Sequence, residues 1–143
     1  MITISKTLKF VKNKHAGQVD KSGVSYIWHL IRVARKVKNK DEKITALLHD
    51  VLEDTPTTIE ELKEIGVPDE IIEVLKLLTH KKDVPYEEYV RNISKNSLAK
   101  TVKLADLSDN SNPERLEKLP TDVQVKLKNK YERAFAILHE EII

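Results

Sequence analysis

Along most of the chain apolar residues recur every three to four positions, and the strict alternation that a half-buried strand requires is hard to find. The spacing predicts helices over Ile4 to His15, Tyr26 to Lys38, Glu42 to Asp54, Asp69 to Thr79, Ser97 to Asn110 and Asp122 to Glu140. Two more are expected, one opened by TPTTIEEL and one carried by VPYEEYVRNIS. Punctuation supports these limits. Ala16-Gly17 ends the first segment, and GQVDKSGVS is the one loop rich in turn formers. Thr55-Pro56 stops the third segment, because a residue before proline disfavours the α region. Thr57 or Thr58 followed by Glu60 or Glu61 suits an N-terminal capping box, Gly66-Val67-Pro68 separates the next two segments, and SNPERL breaks the seventh. The expected fold is an all-α helical bundle forming a single domain over residues 1–143.

Composition narrows the classes of partner. At 143 residues and 40% hydrophobic content the chain can bury one real core and no second one. Its 25 basic and 23 acidic residues nearly cancel, so no global field recruits nucleic acid or an anionic membrane, and an anionic partner must be caught locally. There is no cysteine, which removes disulfides and thiolate chemistry and leaves metal binding to histidine and carboxylates. MITISKTLKFVKNKH lacks the apolar run of a signal peptide, and no stretch reaches the length of a membrane span, so a cytoplasmic location is expected.

ALLHDVLEDT changes the picture. At about 100° per residue, Leu47, Leu48, Val51 and Leu52 fall on one side of a helix while His49, Asp50, Glu53 and Asp54 fall on the other. A solvated acidic face is the plain explanation, but no Lys or Arg occurs between Ile44 and Thr55, so the acids repel one another unless a cation sits among them. Adjacent His49 and Asp50 cannot complete a metal site alone. His29, in the apolar run SYIWHLIRVA, and Asp106, in TVKLADLSDN, each read singly as a core histidine or a structural ion pair. Together with the His49-Asp50 pair they supply two imidazole nitrogens and two carboxylates. That set suits one octahedral divalent ion, Mn²⁺, Fe²⁺ or Mg²⁺ rather than tetrahedral zinc.

In the order H…HD…D the chain resembles the HD-domain metal-dependent phosphohydrolases. The runs AHAGQVDKSGVSYIWHLIRVA, ALLHDVLEDT and VKLADLSDN are similar, more narrowly, to the hydrolase domain of the Rel/Spo-type alarmone enzymes and their stand-alone small relatives. The likeness extends from about His15 to Tyr131. It implies a small-molecule substrate, a guanosine alarmone losing its 3′-pyrophosphate with Mn²⁺ as the usual cofactor, and it leaves the oligomeric state open. It makes His29, His49, Asp50 and Asp106 the metal ligands and Glu53 and Asp54 the pair that orients and deprotonates water. Lys21 and Ser22 match the nucleotide-holding loop, and Asn110 matches an asparagine at the ribose and phosphate.

The chain also departs from that pattern. Asp20 stands where the family carries an arginine that packs on guanine, and a carboxylate there cannot stack in that way and repels phosphate. Leu107 replaces an arginine, Asp109 a histidine and Leu30 a proline. Two other functions stay open: an HD phosphohydrolase of a different nucleotide (an adenine alarmone, a nicotinamide dinucleotide phosphate or a nucleoside monophosphate) and a non-catalytic nucleotide sensor. Lys126, Lys128 and Lys130 are either phosphate clamps or solvated residues of the last helix. His15 reads as a structural cap of carbonyls, His80 and His139 as surface residues, Tyr86 and Tyr89 as packing residues, and Trp28 as a wall of the core or pocket.

Overall fold

The computed structural model describes residues 2–139. The described residues form ten helices: α1 Ile4–Lys14, α2 Ile27–Arg35, α3 Lys40–Leu48, α4 Val51–Asp54, α5 Ile59–Glu64, α6 Asp69–Leu77, α7 Tyr86–Ser94, α8 Ser97–Asn110, α9 Pro113–Leu116 and α10 Thr121–His139. The all-α expectation holds. Its predicted end at Glu140 lies outside the described residues. None of these helices is long and apolar enough to cross a membrane.

The middle of the bundle is α3, whose residues from Ile44 to Leu48 are all buried and which packs on α1, α2, α6 and α8. A helix buried on every side must carry its polar chemistry at its ends, and α3 does so at both. At its start the Asn39 side chain accepts from the Glu42 N–H while Glu42 reaches back to the Asn39 N–H, a capping box that sets the helix two residues earlier than the expected Glu42. Thr58 and Glu61 form a second capping box at α5, one of the pairs the sequence offered.

At its far end α3 stops at Leu48 instead of running on to Asp54. The His49 ring approaches the Ala46 carbonyl at 2.6 Å, and Asp50 sits at φ −106°, ψ 0°, before α4 restarts at Val51. A side chain that takes the carbonyl its own turn would use weakens that turn, so the continuous helix expected over residues 42–54 is broken at the two residues carrying the chemistry. Other limits differ as well. The second helix ends at Arg35 rather than Lys38, and SNPERL contains a one-turn helix with Pro113 in its first turn and Asn112 as its cap.

Between α1 and α2 the loop closes through an antiparallel bridge, Val19 to Ser25, with the Asp20 N–H donating to the Val24 carbonyl at 2.8 Å. Gly23 supplies the positive φ, 86°, that this tight return needs. Trp28, expected to wall the core or the pocket, does neither. It is 51% exposed, although its neighbour His29 is buried.

Candidate metal centre and nucleotide pocket

Three helices bring the four candidate ligands together. His29 comes from α2, His49 and Asp50 from the break after α3, and Asp106 from α8, each on an element whose apolar residues fix it in the core. Asp106 Oδ1 lies 3.0 Å from His29 Nε2 and 3.2 Å from His49 Nε2. Asp50 Oδ2 lies 3.0 Å from His49 Nε2 and 4.0 Å from His29 Nε2. One ligand atom from each of His29, His49 and Asp106 falls within 4.8 Å of the others, and all three residues are buried.

The histidine tautomers follow from their outer contacts. His49 Nδ1 faces the Ala46 carbonyl, which only accepts, so that nitrogen carries the hydrogen. His29 Nδ1 faces Asp109 Oδ2 at 2.7 Å, and Asp109 is a firm carboxylate: burial works against its charge, but hydrogen bonds from His29 and Arg32 hold its pKa at about 2. In their neutral forms both imidazoles therefore aim a bare Nε2 lone pair at two carboxylates. Four acceptors converging in a buried place require a positive charge between them. Protons on the rings are one source: burial opposes charge on His49 and His29, yet the neighbouring carboxylates raise both pKa values above the ordinary imidazole range. The Lys103 ammonium beside Asp106 is a second, and a divalent cation is a third, for which two oriented imidazole nitrogens with two carboxylates are the donor set. The residues fit the group.

Around this centre the remaining lone pairs are occupied. Lys103 Nζ donates to Asp106 Oδ2 at 3.1 Å, the Asn110 amide donates to Asp106 Oδ1 at 3.1 Å, and the Tyr26 hydroxyl donates to Asp50 Oδ2. Asn110, matched to a substrate-binding asparagine, thus also holds a candidate ligand. Lys103 and Tyr26 escaped the sequence reading. Their signal was positional: each lies three residues before a candidate ligand and so on the same helix face.

The centre opens into a cavity of about 340 Å³ whose walls include Lys21, Ser22, Glu53, Asn110, Tyr131 and Arg115. Glu53 reaches across to accept from the His80 N–H at 2.7 Å. Asp54 is not part of this wall. Its pKa rises to about 6, first through burial and then through the charges of Asp50 and Glu53. His80, expected at the surface, is half-buried, stacks on Tyr89 at 4.6 Å and lines the cavity with Tyr86 and Tyr89, so those tyrosines wall the pocket as well as pack. Of the last-helix lysines only Lys130 lines it, 4.6 Å over the Tyr86 ring, while Lys126 and Lys128 are exposed and outside it. His139 is exposed as expected. His15 is a buried structural residue that caps α1 through its main-chain N–H, which donates to the Val11 carbonyl, while its ring meets the side-chain amide oxygen of Gln18 at 2.8 Å. Asp20 does not point a free charge at phosphate. Its Oδ1 accepts from Ser22 and Val24, and its Oδ2 pairs with Arg115 at 3.0 Å.

No family profile matches the chain. Among curated proteins it is 37% identical over 116 residues to the guanosine-3′,5′-bis(diphosphate) 3′-pyrophosphohydrolase MESH1 of Danio rerio, an alignment covering 71% of this chain and 63% of that one. It is 46% identical over 65 residues to the guanosine-3′,5′-bis(diphosphate) 3′-pyrophosphohydrolase of Aquifex aeolicus (strain VF5), covering 43% of this chain and 9% of the relative. Over these stretches the chain is similar in sequence to these pyrophosphohydrolases. It spans between 9% and 64% of the length of the curated relatives it matches. In three dimensions it matches a solved structure of a metazoan ortholog of SpoT, described as hydrolysing ppGpp, with a TM-score of 0.80 at 24% identity, over 96% of this chain and 85% of that one. That match establishes the shared helical fold.

Proposed function

We propose that the chain is a metal-dependent 3′-pyrophosphohydrolase of guanosine alarmones, with Mn²⁺ as its ion and Mg²⁺ or Fe²⁺ as substitutes. The observation that carries this reading is the convergence of two Nε2 lone pairs and two carboxylates at the mouth of a polar cavity.

His29, His49, Asp50 and Asp106 would hold the ion, which when bound supplies Lewis acidity to water and to the phosphoryl oxygens. The chain's own groups do the rest. Glu53, fixed by the His80 N–H at the cavity wall, orients the attacking water. Asp54, with its pKa near the operating range, accepts the water's proton by way of Glu53 or solvent. An oxygen–phosphorus bond forms at the phosphorus carried by the ribose 3′-oxygen, the bond to that 3′-oxygen breaks, and the 3′-oxygen takes up a proton from solvent. The products are the 5′-nucleotide and pyrophosphate. Lys21 and Lys130, both on the cavity wall, offer cations to the phosphates, and Ser22 and Asn110 line the same cavity.

One observation favours a second reading, hydrolysis of a different nucleotide: position 20 presents a carboxylate tied to Arg115 and no cationic plane to a base. A single assay separates the two. Mn²⁺-loaded protein is given guanine and adenine 3′-pyrophosphorylated nucleotides and ordinary nucleotides, and pyrophosphate release is measured. Release from the guanine alarmone supports the first reading, release confined to another substrate supports the second, and binding without release from any of them would make the chain a sensor.

A further inference from the structure

Two departures from the family pattern, Asp20 and Asp109, lie far apart in sequence and meet on one side chain. Arg115 Nη2 donates to Asp20 Oδ2 at 3.0 Å and Arg115 Nη1 donates to Asp109 Oδ2 at 2.6 Å, so one planar guanidinium joins both carboxylates. The Asp20 and Asp109 side chains are 7% and 1% exposed, and Arg115 is 21% exposed, so solvent screens these pairs little.

Each carboxylate does a second job with the same group. Asp20 Oδ1 accepts from the Ser22 N–H at 2.9 Å, the Ser22 hydroxyl at 2.8 Å and the Val24 N–H at 3.1 Å, which fixes the shape of the loop carrying Lys21 and Ser22. Asp109 accepts from His29 Nδ1 at 2.7 Å and from Arg32 Nε at 2.7 Å, which fixes the tautomer and the aim of the His29 ring. Contacts that are short, charged and directional at every link move together.

We infer that Arg115 is a positioning residue that couples the Lys21-Ser22 loop to the metal-facing imidazole of His29 through Asp20 and Asp109. This rests on the reading of His29 as a metal ligand, but not on the identity of the nucleotide. Lysine cannot replace the arginine, because a single ammonium lacks the fork that reaches two carboxylates at once. Linkage makes the effect reciprocal: a cation at the centre steadies the loop, and an ordered loop tightens the cation's site.

The test is Mn²⁺ binding to the full metal-free chain, measured by calorimetry, in a double-mutant cycle. Asp20→Asn touches no candidate ligand, yet it should weaken Mn²⁺ binding about threefold to tenfold, and Arg115→Gln about tenfold. In the Arg115→Gln background Asp20→Asn should add nothing further, and Arg115→Lys should not restore the affinity. In the opposite direction, Mn²⁺ should slow amide exchange at Ser22 and Val24 in the wild-type chain and leave it unchanged in Arg115→Gln. Thermal unfolding of each variant checks its fold, and Arg115→Lys keeps the charge should Arg115→Gln fail to fold. Unchanged Mn²⁺ affinity in folded Asp20→Asn, or additive losses in the cycle, overturns the coupling while leaving the proposed hydrolysis standing. A wild-type chain that binds no divalent ion removes both, and a coupled chain that hydrolyses no alarmone removes only the substrate reading.

Discussion

At the centre between α2, α3 and α8, every candidate ligand sits on or beside a helix whose other side is core, whereas residues 18–25 form a loop organised by one carboxylate. The centre's geometry comes from apolar burial: Leu30, Leu48 and Leu107, neighbours in sequence of His29, His49 and Asp106, are fully or almost fully buried and cannot shift without opening the core. The loop has no such anchor. Val19 and Val24 are exposed, and the loop's shape depends on Asp20, Gly23 and the pairing with Arg115. On the proposed function, chemistry that needs a fixed point is built on packing, while recognition rests on hydrogen bonds that one substitution can redirect.

The strongest way to break this comparison is to remove charge from the centre without changing its shape. Asp106→Asn should lower Mn²⁺ affinity by at least about 100-fold and abolish pyrophosphate release, with far-UV circular dichroism unchanged. Calorimetry on the metal-free chain measures the first effect. Normal affinity in this variant would mean that the centre does not hold an ion.

Next in size are the two acids after the break. Glu53→Gln should keep Mn²⁺ and lose about 100-fold in kcat, because it removes the group that orients water while leaving every candidate ligand in place. For Asp54 the sign comes from its pKa of about 6, raised by burial and by the neighbouring acids. A base works only when deprotonated, so kcat/KM should fall as pH drops through about 6, and Asp54→Asn should flatten that limb. A pH–rate profile whose acid limb survives in Asp54→Asn would assign the limb to another group.

In the loop the expected losses are smaller and of another kind. Lys21 is exposed at the cavity wall and touches no candidate ligand, so Lys21→Ala should raise KM about tenfold, leave kcat nearly unchanged and reduce the sensitivity of KM to salt. Steady-state kinetics at two ionic strengths would show it. A fall in kcat equal to the rise in KM would place Lys21 in the reaction itself.

How much of this could be read from the sequence follows the same division. His29, His49, Asp50 and Asp106 could be found because each interrupts an apolar helical run, and a buried polar residue in such a run needs a partner. The break at His49 and Asp50 could not, since helical periodicity continues through it, and only the competition of the His49 ring for the Ala46 carbonyl ends the turn. Asp20 was misjudged for a related reason. Its type suggested a charge facing phosphate, but its partner Arg115 lies 95 positions away and no local pattern links them. Lys103 and Tyr26 left only the faint signal of standing three residues before a candidate ligand, and His80 left none, because its role depends on how the segment between α6 and α7 meets the cavity, a tertiary fact.

The smallest predicted effect tests whether the centre depends on packing, as the comparison holds, or on the ends of its helices. Asn39 caps α3 at the end opposite His49, and its side chain and that of Glu42 satisfy amides that would otherwise lack partners. Asn39→Ala should cost about 1 kcal/mol of stability, read as a melting temperature lower by about 2–4 °C. Mn²⁺ affinity should stay within about twofold of the wild-type value, because Ile44 to Leu48 remain buried on every side and hold His49 in place whether or not the first turn frays. A loss of affinity in step with the loss of stability would mean that the register of α3, set at its cap, aims the imidazole, and that the core around it is softer than its burial implies.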